Sequence, residues 1–256
     1  MFRIMFLLSI LLLVTSPCFA LKEIRTIPTR EGVTLDILLR YKGNTIDKTA
    51  VILFPGGDGA HHFRLENDGR VRGNNFLVRT SKDFAQEFLT VLVDAPSDRK
   101  NGMDDDFRMS SEHAADISKL MDYLTKQGVE RFYLVGTSRG TLSVASLAAK
   151  IKNTTLKGAV LTSSLEYAKF LRWVPLETIT VPVLMVHHTD DACKICSIHE
   201  AERTRDTLAK TTAVEFIEVT GGDTPKSGPC EALSAHGFLG VEDKAVQPII
   251  EWIRKH

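Results

Sequence analysis

Five residues, Gly136-Thr137-Ser138-Arg139-Gly140, place a serine between two glycines in the pattern G-x-S-x-G. A serine hydroxyl is a weak nucleophile and attacks a carbonyl only when a base takes its proton. That base is most often a histidine, whose tautomer a carboxylate holds. Downstream, the segment His187-His188-Thr189-Asp190-Asp191-Ala192-Cys193 supplies acids, and Ser234-Ala235-His236-Gly237-Phe238 supplies an imidazole. Ser138, Asp191 and His236 stand in the chain order nucleophile, acid, base that this pattern requires, with Asp190 beside Asp191 as a second acid on the same loop. The chemistry in reach is acyl transfer.

Such a serine works only if the elements around it present it. The apolar run Phe132 to Val135 precedes the motif, and Thr141 to Ile151, mostly small and apolar, follows it as a buried helix. A sharp strand-to-helix turn then holds Ser138 in a strained conformation that only small neighbours at 136 and 140 allow. Continuous apolar runs at Ala50 to Phe54 and Thr90 to Val93 read as strands covered on both faces, and shorter ones recur at Ala159 to Leu161, Val181 to Val186 and Ala213 to Val219. Val33 to Leu39 alternates as a half-buried strand, with Val33, Leu35, Ile37 and Leu39 on one face. Ser110 to Gln127 carries Ala114, Ile117, Leu120, Met121 and Leu124 on one helical face and stops at Gly128. Ser197 to Glu200 has the form of a capping box, and a last helix spans about Asp243 to Arg254, with Pro248 forcing a kink or a late start. This alternation predicts a mostly parallel sheet with helices on both faces and function beyond the carboxyl ends of its strands.

With 256 residues, 43% hydrophobic and 25% charged, the composition excludes disorder and coiled coil, and 32 basic against 32 acidic residues exclude a broad nucleic-acid footprint. Residues 1–20 differ from the rest: Arg3, the apolar run Ile4 to Val14, then a polar stretch ending at Ala20. These are the parts of a secretory leader, with cleavage expected after Ala20 and the protein periplasmic or secreted. The leader removes one cation, Arg3, and no acid, so residues 21–256 carry a formal charge of about −1. No other stretch is long and apolar enough to span a bilayer, so no stable membrane association is expected after cleavage, and one domain is expected over 21–256.

Five segments in order, Phe54 to Gly59, Asp94 to Asp98, Gly136 to Gly140, His187 to Cys193 and Cys230 to Gly237, make the chain resemble the α/β-hydrolase superfamily, in particular its small secreted or periplasmic bacterial members. The resemblance covers nearly all of the mature chain. It implies the α/β-hydrolase fold with little or no cap domain, and an exported serine hydrolase that cleaves ester-type acyl bonds of a small-molecule substrate through an acyl-enzyme. By that likeness Asp191, three residues after His188, takes the place of the acid. It also implies that the oxyanion meets two backbone N–H donors, one from Arg139 and one from Gly57, with Asp58 as rival to Gly57. No metal and no organic cofactor is implied. A peptidase or amidase on the same three residues, and a non-catalytic binding or redox module on the same scaffold, are the alternative readings.

Cys193 lies two residues after the expected acid and Cys230 six before the expected base, so a Cys193–Cys230 disulfide would tie the two loops, leaving Cys196 free. The rival readings are a Cys193-x-x-Cys196 redox pair and a zinc site from Cys193, Cys196, His199 and Cys230. The pairs His61-His62 and His187-His188 read as solvated or supporting histidines, and Asp104-Asp105-Asp106 as a solvated loop. Asp58 to Lys82 reads as a long connection in which Arg64, Arg70, Arg72 and Arg79 face Glu66 and Asp68, either a solvated flap or a cation for an anionic substrate. About 19 residues separate Leu161 from Val181, too few for a lid domain, which predicts a shallow site for short acyl groups with Trp173 at one wall or in packing.

Overall fold

The computed structural model describes residues 20–43, 46–64, 73–210 and 212–256. The expected leader, but for Ala20, and Glu66, Asp68, Arg70 and Arg72 lie outside the described residues. Eight strands form one sheet: β1 (Ala20–Arg30), β2 (Val33–Lys42), β3 (Thr49–Phe54), β4 (Leu89–Val93), β5 (Arg131–Thr137), β6 (Leu156–Thr162), β7 (Val183–His188) and β8 (Val214–Val219). Their spatial order is β1-β2-β4-β3-β5-β6-β7-β8. Strands β3 to β8 pair in parallel, while β1 with β2 and β2 with β4 are antiparallel.

The continuous apolar strands are covered twice. Along β3, Ala50, Ile52 and Phe54 enter one core cluster, and Val51 and Leu53 enter the other. Side chains alternate across a strand, so a run without polar positions fits only between two helical layers. One layer is α1 (Phe76–Phe84) with α6 (Glu242–Lys255), and the other is α3 (Ser111–Thr125), α4 (Gly140–Lys150) and α5 (Ile198–Leu208). Among the described residues no helix is long and apolar enough to cross a membrane.

Several local expectations are corrected. The stretch 58–82 is not a plain connection, because α1 lies in it, started by Asn75, whose side chain accepts the Leu77 N–H at 3.0 Å. Of the three aspartates Asp104 and Asp106 are exposed, as expected, but they do not form a loop: Asp104 caps a single helical turn, α2 (Asp105–Arg108), by accepting the Phe107 N–H at 2.7 Å. Ser197 does cap α5, yet Glu200 does not return the bond, since its carboxylate accepts the Ala168 N–H at 2.9 Å and pairs with Arg203. Helix α6 neither starts late nor ends at Pro248. The carbonyl that Pro248 leaves without a donor belongs to Lys244, which is exposed to water, and the buried stripe Ala245, Val246, Ile249, Ile250, Trp252 and Ile253 holds both halves on the sheet. Strand β1 has no counterpart in the reading of the sequence, because Lys22, Glu23 and Arg25 break its pattern at the sheet edge.

The turn from β5 to α4 is where packing decides the site. A Cβ on Gly140 would lie 2.0 Å from the Phe54 carbonyl oxygen, and one on Gly136 would lie 2.5 Å from the Gly140 carbonyl oxygen. Both contacts are with backbone, which cannot swing aside. Gly140→Ala should therefore destabilise by about 3 kcal/mol or more, the upper range for overpacking. Urea titration of the variant against wild type measures this, and a loss below about 1 kcal/mol would contradict the close approach.

Candidate active site

At the end of β5, Ser138 has φ of 54°, a left-handed conformation rare for a residue with a Cβ. Its N–H donates to Thr162 O at 3.0 Å, and its carbonyl accepts from the N–H and hydroxyl of Thr141 at 2.9 and 2.6 Å. The strain is thus held from the neighbouring strand β6 and from the first turn of α4.

Strand β7 runs two residues past the expected Val186 and includes His187 and His188, both buried. They are not solvated. His187 Nε2 accepts the Ser164 N–H at 2.8 Å, and its ring stacks on Phe216. His188 Nδ1 accepts the Asp190 N–H at 3.0 Å while Nε2 meets Gly221 O at 2.7 Å. With Asp190 turned outward and exposed, Asp191 faces inward, its side chain 0% exposed. Asp191 Oδ1 accepts the Cys193 N–H at 2.9 Å, and Oδ2 lies 2.8 Å from His236 Nδ1.

His236 sits in a single helical turn, Ala235 to Gly237, that ends at Phe238 with φ of 57°. Ser163 donates its hydroxyl to His236 O at 2.8 Å, and a Cβ on Gly237 would strike Ala232 O at 2.0 Å. His236 Nε2 is buried and carries no hydrogen bond among the described residues. It shares a cavity of about 240 Å³ with Ser138, Gly56, Gly57, Phe76 and Glu231. Ser138 shares the cavity with Nε2 but makes no hydrogen bond to it.

Cys193 and Cys230 form a disulfide that joins the Asp191 loop to the His236 loop, with Cα atoms 4.6 Å apart. Cys196 is a free, buried thiol whose side chain meets that of Ser138. Burial pushes its pKa above the ordinary thiol value. Cys193, Cys196 and a His236 nitrogen lie within 4.8 Å of one another, but the disulfide takes the Cys193 sulfur and Asp191 engages His236. The redox pair Cys193–Cys196 is not formed, and His199, exposed and paired with Glu202 at 3.3 Å, is not gathered with the cysteines into a zinc site.

Gly57 and Arg139 both flank the serine. Gly57 lines the cavity with φ of 73°, and the Arg139 side chain pairs with Asp105 at 3.3 Å, leaving its backbone N–H at the start of α4. Among the described residues neither N–H donates to a backbone acceptor. Asp58 does not line the cavity, and its carbonyl accepts the Met103 N–H at 2.7 Å. Gly56 escapes the reading of the sequence, although a Cβ there would lie 2.8 Å from Ser138 Cβ; three glycines in one loop do not reveal which one abuts the serine.

Arg79 is not a flap cation. It lies on α1, where its guanidinium donates to Ala232 O at 3.1 Å, to Gly237 O at 2.5 Å and to Glu242 at 2.8 Å, pinning the His236 loop to two helices. Trp173 stands 62% exposed under the Arg172 guanidinium and does not line the cavity.

These elements define the α/β-hydrolase fold. No family model matches the chain, and no curated protein matches it in sequence. Among solved structures it is similar to dienelactone hydrolase from Anabaena variabilis, with a TM-score of 0.65 and 14% identity over 93% of this chain and 98% of that one. An α/β serine hydrolase homologue from Coxiella burnetii gives 0.62 and 14% over 90% and 97%, and an esterase from a Rhodococcus species gives 0.54 and 13% over 91% and 97%.

Two outcomes follow from burial. Cys196 should resist iodoacetamide at pH 8 in the native protein and react on unfolding; peptide mass spectrometry showing rapid native alkylation would overturn its placement. Burial also lowers the pKa of His113 to about 3 and of His187 to about 4, so both rings are neutral when folded. The unfolded chain takes up protons near pH 6.5, so the stability these rings share is full above that value and falls by up to a few kcal/mol as pH drops toward 4. Thermal melts across this window should show the decline, with a shallower slope in His187→Asn.

Proposed function

We propose that the protein is an exported serine hydrolase that cleaves ester-type acyl bonds through an acyl-enzyme. The observation that supports this best is the 2.8 Å contact between His236 Nδ1 and the buried Asp191 carboxylate, behind the cavity that His236 shares with strained Ser138. In this reading Ser138 Oγ attacks the substrate carbonyl as His236 Nε2 takes its proton. Asp191 keeps the proton of the resting imidazole on Nδ1 and stabilises the imidazolium. The N–H groups of Gly57 and Arg139 receive the oxyanion, and the positive end of α4 adds to their field. Collapse of the tetrahedral adduct expels the alkoxide, to which His236 returns the proton. Water, activated by the same imidazole, then releases the acid and restores Ser138.

The substrate class follows from size. A cavity of about 240 Å³, with β6 and β7 joined by two short 3₁₀ turns instead of a lid, suits a short acyl group. The leader-like residues 1–20 and the disulfide support export to an oxidising compartment.

Wild type should label with a fluorophosphonate, and Ser138→Ala should not. Hydrolysis of nitrophenyl acetate or butyrate should exceed that of the dodecanoate, and Ser138→Ala should lower kcat at least about 1,000-fold. Asp191→Asn should cost a similar factor, with Asp190→Asn within about threefold of wild type. An unlabelled wild type would refute the nucleophile; faster turnover of the long ester would refute the small open site.

A further inference from the structure

Arg108 is 1% exposed, the largest of the most deeply buried side chains. Placing a guanidinium there is costly unless its charge is paired and its donors are met. Arg108 meets neither condition in full. Nη1 donates to Ser143 Oγ at 3.1 Å and Nη2 to Gly57 O at 3.0 Å, while Nε is buried without a partner among the described residues. No carboxylate among the described residues makes an ion pair with it: Asp58 accepts the Ala60 N–H, Asp104 the Phe107 N–H, and Asp105 lies toward Arg139, although the charges of all three favour the cation from a distance. Burial lowers its pKa to about 10, which still leaves the side chain charged at neutral pH. A packed aliphatic residue would fill the same space at less cost.

What the cation holds is more telling. Gly57 is one of the two residues assigned to the oxyanion, and its carbonyl is drawn onto Arg108. The next carbonyl, of Asp58, accepts the Met103 N–H at 2.7 Å, and Gly59 closes over the guanidinium so tightly that a Cβ there would lie 2.9 Å from Nη2. The peptide planes 57–58 and 58–59 are thereby fixed, so Gly57, whose φ is 73°, is anchored from its carboxyl side, one rotation away from the plane that carries its own N–H. The other assigned residue is reached by the same turn of helix, since Asp105 pairs with Arg139 at 3.3 Å. Helix α2 therefore touches both sides of the proposed oxyanion hole, one through a carbonyl and one through a side chain.

We propose that Arg108 is a positioning residue for the oxyanion hole, holding Gly57 through its carbonyl and setting a positive charge, without an ion-pair partner among the described residues, beneath the loop where negative charge develops. This rests on the serine hydrolase reading. Preorganised donors and charge act on the transition state more than on the bound substrate, so the loss on removal falls on kcat.

The test uses mature protein with nitrophenyl acetate, an acyl boronic acid inhibitor, and the variants Arg108→Met, Arg108→Lys and Ser143→Ala. Arg108→Met should lower kcat about 30-fold or more with KM within about threefold, and should weaken the boronic acid by the factor lost in kcat/KM. Arg108→Lys, which keeps a charge, should recover part of the loss, and it decides the question if Arg108→Met does not fold. Ser143→Ala removes the other bond of the guanidinium while leaving its charge and its bond to Gly57 O, and should cost clearly less in kcat than Arg108→Met. Full kcat in a folded Arg108 variant overturns the proposal, as does an equal loss in Ser143→Ala, which would mark a packing effect. Wild type that neither labels with fluorophosphonate nor turns over overturns the hydrolase reading and this inference with it, whereas an active wild type beside an equally active Arg108→Met overturns this inference alone.

Discussion

The backbone of Gly140 passes so close to the end of β3 that no side chain fits between them. That approach sets the rest of the site. It places the start of α4 over Phe54 and Pro55, brings Gly56 against the Cβ of Ser138, and leaves the serine the left-handed conformation that lifts its hydroxyl into the cavity. Three glycines, at 56, 136 and 140, are needed because each faces backbone or the serine itself at less than 3 Å. Their φ values are unremarkable; the demand on them is space, while Gly57 beside them is needed for its positive φ.

Asp191 and His236 come from two loops that no strand pairing aligns. The Asp191 loop leaves β7, and the His236 loop lies between β8 and α6. Their relative position is held by three kinds of bond at once: the Cys193–Cys230 disulfide, the Arg79 guanidinium on Gly237 and Glu242, and the Ser163 hydroxyl on His236 O. Rigid support from different elements is what a hydrogen bond between two loops needs if it is to stay within a few tenths of an ångström. Cys230 is exposed and lines the cavity while Cys193 is buried in the core, so the bridge runs from the cavity wall inward.

Much of this frame is legible in the residues. The strands β3, β4, β5 and β7 announce themselves by uninterrupted apolar runs, and the cysteine spacing points to the bridge that is present. What escapes is decided by partners distant in the chain. Helix α1 buries Thr80 and Ser81 among its apolar residues, each hydroxyl returned to a backbone carbonyl of its own helix, so the segment reads as polar although it packs. Arg79 reads as part of a solvated flap or as a substrate cation, and Arg108 draws no reading, because nothing beside them in sequence announces the carbonyls of Gly237 and Gly57 that they bind. Pro248 suggests a break that tertiary packing overrides, and His187 suggests a wet loop where strand β7 continues instead.

The cavity draws its walls from Gly56 and Gly57, from Phe76, from Ser138, and from Glu231 and His236, segments scattered from the first parallel strand to the last helix. Neighbours this far apart along the chain meet only after large loops have closed, which makes assembly slow and late. No short fragment contains all of these walls, so a half-folded chain can keep secondary structure without forming the cavity. Conversely, opening the carboxyl-terminal segment alone would remove the imidazole while the sheet persisted. In the serine hydrolase reading, activity would therefore report whether contacts far apart in the chain have closed.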